Sequence, residues 1–325
     1  MRLTGTFLDE ISFDIPHQNW GHEEWDNDFK AMQAIGIKRV IMIRCAHRNF
    51  MTYPSQVIPR ISGYAMHQPP VDLVDMFLTL AEQYGMEFYF GTFHCHSGNC
   101  KSWSDPQIFK QEAAINVEII SEVQALYGHR RAFAGWYLTH EVCSDNPGTI
   151  DLFIEQGEHA KKISGGKPTL ISPYFAGVKA HRGGNAYPPV TIEEHTADWT
   201  TIFSQLSGVL DYVAFQDGHV NYDELPAYLQ VTRELAARYG VACWSNIESF
   251  DRDMPIHYLP IKWEKFLWKM ESAASVGIEE AISFEFSHFI SPNSMYQSAA
   301  GLYDRYAEYC GFTARSRDFR GKLSR

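Results

Sequence analysis

Three features of the sequence predict a single (β/α)8 TIM barrel. Short β-branched or aromatic runs alternate eight times with longer segments of helical spacing, which is the order expected of a parallel barrel. A glycine follows most of the predicted helices, and the connections that follow the predicted strands are longer and more varied. Since such a barrel commonly takes about 250 residues or more, one domain accounts for this chain of 325 residues.

The eight predicted pairs follow one another along the chain. The predicted strands are residues 3–8, 38–44, 87–94, 133–139, 169–174, 212–216, 241–247 and 280–286. The predicted helices are residues 23–35, 71–84, 105–127, 150–163, 194–206, 223–239, 262–275 and 294–309. The glycines expected to end helices at a positive φ are Gly36, Gly85, Gly128, Gly165, Gly208, Gly240 and Gly277.

Two strand-to-helix connections are much longer than the others, residues 45–70 after the second strand and residues 175–195 after the fifth. Connections of this kind gather at the C-terminal face of a barrel, where substrates bind. Their lengths therefore place the expected site at that face. We expect the barrel to span residues 1–312 and the basic segment 313–325 to be a solvated tail.

Composition narrows the class of partner. The formal net charge of −11 disfavours nucleic acid and anionic membranes. No apolar run approaches the roughly 20 residues of a membrane span, and the N-terminus enters a strand pattern without the regions of a secretion signal. We therefore expect a cytoplasmic protein that acts on a small carbohydrate or glycoside. The sequence predicts no oligomeric state.

Carboxylates end or follow several predicted strands, which collects them at one rim of the barrel. They are Asp9 or Glu10, Glu141, Asp217, Glu248 and Glu285. Strand residues alternate faces, so turning the bulky Ile282 and Phe284 toward the helices would turn Glu285 toward the barrel interior. Like charges held close together separate in pKa, which supplies an acid and a base from one residue type.

Glu141 and Glu248 follow or end the fourth and seventh strands, whose tips face each other across the mouth of an eight-stranded barrel. Cleavage of a glycosidic bond needs two such carboxyl groups: one protonates the leaving oxygen, and the other attacks the anomeric carbon or activates a water. A separation of about 5–5.5 Å indicates a retaining enzyme and about 6.5–9.5 Å an inverting one. The pair predicts a glycoside hydrolase.

A family resemblance adds to this prediction. It is carried, over nearly the whole chain, by the strings TGTFLDEIS, YGMEFYFGTF, GWYLTHE, FQDGHVNYDELP, NIESFDRDMPI and FEFSHFISP. These resemble an uncharacterised bacterial family of barrel proteins described as glycoside hydrolases. The placement of Glu141 and Glu248 is also similar to the retaining 4/7 superfamily, clan A. That likeness implies that Glu141 is the acid/base and Glu248 the nucleophile. Clan A usually has an Asn before the acid/base, bonded to the sugar 2-hydroxyl; here that residue is His140, and we expect Asn246 to supply part of the contact.

Other residues are expected to bind the substrate. The acidic ones would orient hydroxyl groups, the aromatic ones would offer a flat surface to a sugar face, and the histidines would hydrogen-bond a hydroxyl. With Asn246, the set is Glu285, Asp217, His140, Trp244, Tyr174, His288 and Glu10. Because a cytoplasmic enzyme meets short imported saccharides or glycosides rather than intact polymers, we expect an exo-acting enzyme. No cofactor and no metal is expected.

Two other functions stay open. The first is a divalent-metal-dependent sugar isomerase or lyase, because carboxylates and histidines on a barrel rim can hold Mg²⁺ or Mn²⁺. Its candidate ligands are Glu141, Asp217, Glu248, Glu285, His94 and His288. The second is a non-catalytic sugar-binding barrel, in which the two glutamates only accept hydrogen bonds.

Overall fold

Eight parallel strands close into a barrel in which each strand pairs with its neighbours along the chain, and the first pairs with the last. The computed structural model describes residues 1–12, 15–61, 65–94, 106–142, 148–179 and 189–320. The barrel strands are β1 Leu3–Leu8, β2 Arg39–Met42, β3 Glu87–Gly91, β4 Phe133–Tyr137, β5 Thr169–Ile171, β6 Tyr212–Gln216, β7 Ala242–Glu248 and β8 Ala281–Phe284.

One long helix follows each strand. These helices are α1 His22–Ala34, α2 Leu73–Tyr84, α3 Pro106–Tyr127, α4 Thr149–Ser164, α5 Ile192–Leu206, α6 Leu225–Arg238, α7 Trp263–Ser275 and α8 Gln297–Cys310. The predicted (β/α)8 barrel is therefore confirmed, and each predicted element overlaps an observed one. No helix in the described part of the chain is long and apolar enough to cross a membrane.

Short elements lie in the connections at the C-terminal face. The long connection after β2 contains a small antiparallel hairpin, Ala46–His47 paired with Phe50–Met51, and a helical turn, Ile58–Ile61. Another single turn, Phe286–Phe289, starts two residues after β8 ends. In the long connection after β5, residues 180–188 lie outside the described part.

Most of the predicted helix-ending glycines have the expected backbone conformation. Gly85 follows α2 with φ 68°, and its N–H bonds to the Ala81 carbonyl. Gly36, Gly165, Gly208, Gly240 and Gly277 also have positive φ. Gly128 is not among the positive-φ residues, so the expectation is wrong there. A Cβ on Gly128 would lie 2.4 Å from the Gln124 carbonyl oxygen, so close approach of the backbone explains this glycine.

Apolar side chains form two layers, one inside the barrel and one between the sheet and the helices. The inner layer includes Phe7, Ile41, Tyr137, Leu170 and Ile282, with Phe284 packed against it. Ala281 belongs instead to the outer layer. The expected facing of β8 is therefore wrong, because the interior of an eight-stranded barrel is itself filled with bulky side chains.

The segment after α8 packs onto the barrel rather than extending into solvent. Ser316 donates from its backbone N and from Oγ to the Asp304 carboxylate, both at 2.7 Å. The Phe319 side chain is buried against Tyr303. The expectation of a solvated tail is wrong for these residues, and residues 321–325 lie outside the described part.

At Gly91 the backbone of β3 lies so close to the end of β2 that it leaves no room for a side chain. A Cβ there would lie 2.1 Å from the Met42 carbonyl oxygen and 2.7 Å from the Ile43 carbonyl carbon. Because these are backbone atoms, Gly91→Ala should lower the free energy of unfolding by about 1–3 kcal/mol. Gly301→Ala is the matched control, since Gly301 lies inside α8 with open space around it. It should raise stability by about 0.5–1 kcal/mol. Urea unfolding of both variants tests this, and equal stabilities would contradict it.

Candidate active site

A polar cavity opens at the C-terminal ends of the strands and holds about 810 Å³, including its open mouth. The residues that line it mostly end or follow barrel strands. Its polar and aromatic lining includes Phe7, Asp9, Arg44, His94, Thr139, Glu141, Ser172, Gln216, Asn246, Phe250, Arg252, Tyr258 and Phe284.

Glu141, four residues after the end of β4, is an exposed carboxylate that lines this cavity. Its Oε1 accepts a hydrogen bond of 3.0 Å from the Gln216 side-chain amide. The same amide nitrogen donates to the Ser172 carbonyl at 2.8 Å, which fixes its orientation. Glu141 is therefore both held in place and open to solvent, as a group that exchanges protons with a substrate must be.

Glu248 ends β7 but does not line the cavity itself. Its side chain is 2% exposed, and its two oxygens accept hydrogen bonds from Arg252, from Nε at 2.6 Å and from Nη2 at 2.7 Å. Burial by itself would raise the pKa of Glu248, but the Arg252 guanidinium outweighs it and lowers this pKa to about 2. Arg252 lines the cavity, so the guanidinium lies between the cavity and an ionised Glu248.

Asp217 faces a lysine on α7 rather than the cavity. Its Oδ1 accepts hydrogen bonds from Lys269 Nζ at 2.7 Å and from the Glu248 backbone N at 3.1 Å. Lys269 Nζ also donates to the Glu248 carbonyl. Burial raises the pKa of Asp217 to about 6, since Lys269 offsets that effect only in part. Asp217 therefore ties the ends of β6 and β7 to α7, contrary to the expectation that it binds substrate.

Glu285 and His288 also lie outside the cavity lining. The turn Phe286–Phe289 begins directly after Glu285, whose carboxylate caps it by accepting from the backbone N of His288 at 2.7 Å. The His288 ring also contacts this carboxylate. Burial by itself would lower the pKa of His288, but Glu285 outweighs it and raises this pKa to about 9. Glu10 lies near this pair, and burial raises its pKa to about 7. Glu285 and His288 therefore pair with each other instead of facing a substrate.

The two expected aromatic platforms are elsewhere as well. Trp244 stacks on Tyr212 at 4.3 Å between ring centroids, with the Arg39 guanidinium 4.6 Å from its ring. Tyr212 and Arg39 are the first residues of their strands, so Trp244 lies at the N-terminal end of the barrel, opposite the cavity. Tyr174 packs edge-on against His219 at 5.2 Å and does not line the cavity.

His140 points into the layer between sheet and helices, not toward a sugar. Its Nδ1 lies 3.1 Å from His94 Nδ1 and 3.5 Å from a Glu112 oxygen. The expectation that His140 binds the substrate is therefore wrong. Asn246 does line the cavity, and its Nδ2 donates to Ser172 Oγ at 2.9 Å.

Of the predicted site residues, the cavity brings together Glu141 and Asn246. Five polar lining residues lie outside the predicted catalytic and substrate-binding set. The sequence pattern gives Asp9 only as an alternative to Glu10 and His94 only as a metal ligand, and it does not single out Arg44, Gln216 or Arg252. All five end a strand or follow one within four residues. Position at or just beyond the C-terminal end of a strand, the criterion that selects the carboxylates, also selects these residues when it is applied to every polar residue type.

The fold and the cavity define this chain as a (β/α)8-barrel protein with a polar pocket at the C-terminal face. It belongs to the DUF4434 family, described as a domain of unknown function, whose model matches residues 3–296. No curated protein sequence matches the chain.

Solved structures that are similar to this chain include a near relative and more distant ones. A structure described as a "putative alpha-L-fucosidase" from Bacteroides thetaiotaomicron VPI-5482 is 48% identical, covers 96% of this chain and 94% of its own, and superposes with a TM-score of 0.90. A GH18 chitinase from Pseudoalteromonas aurantia is 9% identical in sequence; the match covers 95% of this chain and 99% of the chitinase chain, with a TM-score of 0.54. An endo-1,4-beta-D-mannanase from Thermotoga petrophila RKU-1 is 10% identical, with 87% of each chain covered and a TM-score of 0.53. The last two share the fold.

The pair of Asp217 and Lys269 makes a direct prediction for stability. Lys269→Met leaves a buried carboxylate without its cation, which should cost about 3–5 kcal/mol. Adding Asp217→Asn should recover most of that loss. Lys262→Met is the control, because Lys262 is exposed and its ion pair with Glu264 is worth at most about 1 kcal/mol. Denaturant unfolding of the three variants and the parent measures this, and a double variant as unstable as Lys269→Met would contradict it.

The pair of Glu248 and Arg252 predicts a dependence of stability on pH. The pKa of folded Glu248 is lowered from 4.5 to about 2, so its ionised form stabilises the fold above pH 4.5, and this contribution is lost as the pH falls toward 2. Arg252→Met should therefore destabilise the protein strongly at neutral pH and much less near pH 3. Urea unfolding across this range tests it, and a difference from the parent that does not change with pH would contradict it.

Proposed function

We propose that this protein is a retaining, exo-acting glycoside hydrolase of short saccharides or glycosides, with Glu141 as general acid/base and Glu248 as nucleophile. One observation carries the proposal: a solvent-open glutamate just beyond β4 lines the cavity, and the partner of a second glutamate at the end of β7 lines the same cavity. The near relative described as a "putative alpha-L-fucosidase" supports the hydrolase class and suggests L-fucosides as the first substrates to try.

Glu141 has the environment that proton transfer needs. Gln216 holds Oε1, so Oε2 is the oxygen we assign to the proton that goes to the leaving group. The same carboxylate then takes a proton from the water that resolves the glycosyl intermediate.

Glu248 has the charge state of a nucleophile, but its carboxylate does not reach the cavity while Arg252 covers it. Its low pKa keeps it ionised. Before Glu248 can attack an anomeric carbon, one of its two hydrogen bonds from Arg252 must break. The guanidinium N–H that is released would then donate a hydrogen bond to a hydroxyl of the sugar in the cavity. Asn246, two residues earlier and lining the cavity, is the group we assign to the 2-hydroxyl.

The described rim carboxylates argue against a shared Mg²⁺ site. Glu248 faces Arg252, Asp217 faces Lys269, and Glu285 faces His288. Because each is committed to a separate partner, no three of them converge as oxygen ligands do around one hard cation.

A panel of aryl α- and β-glycosides that includes an α-L-fucoside tests the proposal. Glu141→Ala should slow hydrolysis of glycosides with poor leaving groups by about 10²–10⁴-fold and slow activated aryl glycosides far less, because only the former need the proton. Glu248→Ala should be inactive and be rescued in part by azide, which gives a product of inverted configuration.

Glu280→Gln is the control variant, because Glu280 binds Arg39 at the opposite end of the barrel. It should keep the parent's activity. A Glu248→Ala variant as active as the parent would overturn the assignment. Saccharide binding by the parent and Glu141→Gln without turnover by either would favour the sugar-binding alternative.

A further inference from the structure

Three potential metal ligands converge beside the candidate active site. They are His94, Glu112 and His140, the one group of three or more His, Cys, Asp or Glu found to converge closely enough to hold an ion within the described ranges. The distance between the two Nδ1 atoms is 3.1 Å. Glu112 Oε1 lies 3.2 Å from the Nδ1 of His94 and 3.5 Å from that of His140. All three side chains are at most 6% exposed.

These separations match the edges of a zinc coordination shell. Zn²⁺ binds imidazole nitrogen and carboxylate oxygen at roughly 2.0–2.2 Å, so neighbouring ligand atoms of a zinc tetrahedron lie about 3.3–3.5 Å apart. A point equidistant from the three atoms lies about 1.9 Å from each, and a small displacement from their plane reaches the bond lengths of zinc. Two imidazoles and one carboxylate form a ligand set that zinc commonly takes.

The surrounding chain holds these ligands in place. His94 and His140 each follow a barrel strand by three residues, and Glu112 lies on α3. One helical turn later, the Asn116 side chain bonds both backbone groups of Phe93, the residue next to His94, at 2.8 Å each. Asn116 also donates to the Glu112 carbonyl at 3.0 Å. The strand end carrying His94 is thereby fixed relative to Glu112, as the supporting groups of a metal site fix its ligands.

We propose that His94, Glu112 and His140 bind Zn²⁺ as three of its four ligands, with a water in the remaining position. His94 also lines the cavity, so the ion lies in the wall of the candidate active site. Its role is to join the ends of β3 and β4 to α3, which orients the segment that carries Glu141. This proposal stands independently of the hydrolase activity.

Zinc binding to the full chain, with any affinity tag removed, tests the proposal. The chelator-treated protein is titrated with Zn²⁺. Mass spectrometry gives the number of bound ions, and isothermal titration calorimetry gives the affinity. The parent should bind about one equivalent, and Zn²⁺ should raise its melting temperature by several degrees, because a ligand that binds the folded state stabilises it. Glu112→Gln and His140→Gln should each bind at least about a hundredfold more weakly.

His195→Gln is the matched control, because His195 is an equally buried histidine that bonds Thr232 in another part of the barrel. It should keep the parent's zinc affinity. Circular dichroism of Glu112→Gln before titration separates loss of the site from loss of the fold. Should that variant not fold, the melting-temperature shift of the parent against His140→Gln decides the matter. A parent that binds no zinc, or ligand variants that bind it as tightly as the parent, would overturn the proposal. Neither result depends on glycoside turnover, so this proposal and the proposed function can fail separately.

Discussion

Pairing of buried charges is the constraint on which the rim of this barrel depends. Moving an ionised carboxylate out of water costs several kcal/mol unless a partner and hydrogen bonds compensate. Glu248, Asp217 and Glu285 meet this requirement through Arg252, Lys269 and His288 respectively. Glu141 does not need it, because it stays exposed at the cavity. The same rule therefore separates the acid that is available for proton transfer from those that hold the rim together.

These pairs also set the shape of the cavity. Lys269 reaches from α7 to the Asp217 carboxylate and to the Glu248 carbonyl, which fixes the ends of β6 and β7 against each other. With the strand ends fixed, Gln216 on β6 can hold Glu141 from the far side. The Arg252 fork then places a cation at the wall of the cavity. A movement of Arg252 is the change that would expose Glu248, so a conformational step at one residue would precede the chemistry that we propose.

The proposed zinc site involves the residue directly before Glu141. His140 and Glu141 are adjacent in sequence but face different regions, one the helix layer and the other the cavity. A metal held by His140 would restrain the backbone from which the Glu141 side chain extends. The segment after β4 therefore carries both a proposed zinc ligand, His140, and the proposed acid/base, Glu141.

Local pattern alone determined the architecture of this protein. Eight alternations and the glycines after the helices predicted the barrel, because strand and helix periodicity and positive φ depend on neighbouring residues only. The same pattern predicted that Glu141 would follow β4 and Glu248 would end β7. Only the tertiary structure decided which polar groups face the cavity. The partners of Glu248, Asp217, Glu285 and His140 come from the loop after β7, from α7, from the turn after β8 and from α3, and no pattern within a strand encodes them. Lys269 and Glu112 come from helices that are distant in sequence, whereas Arg252 and His288 lie only four and three residues beyond their glutamates and reach them because the chain turns back after the strand. Burial then fixes the protonation of the buried groups.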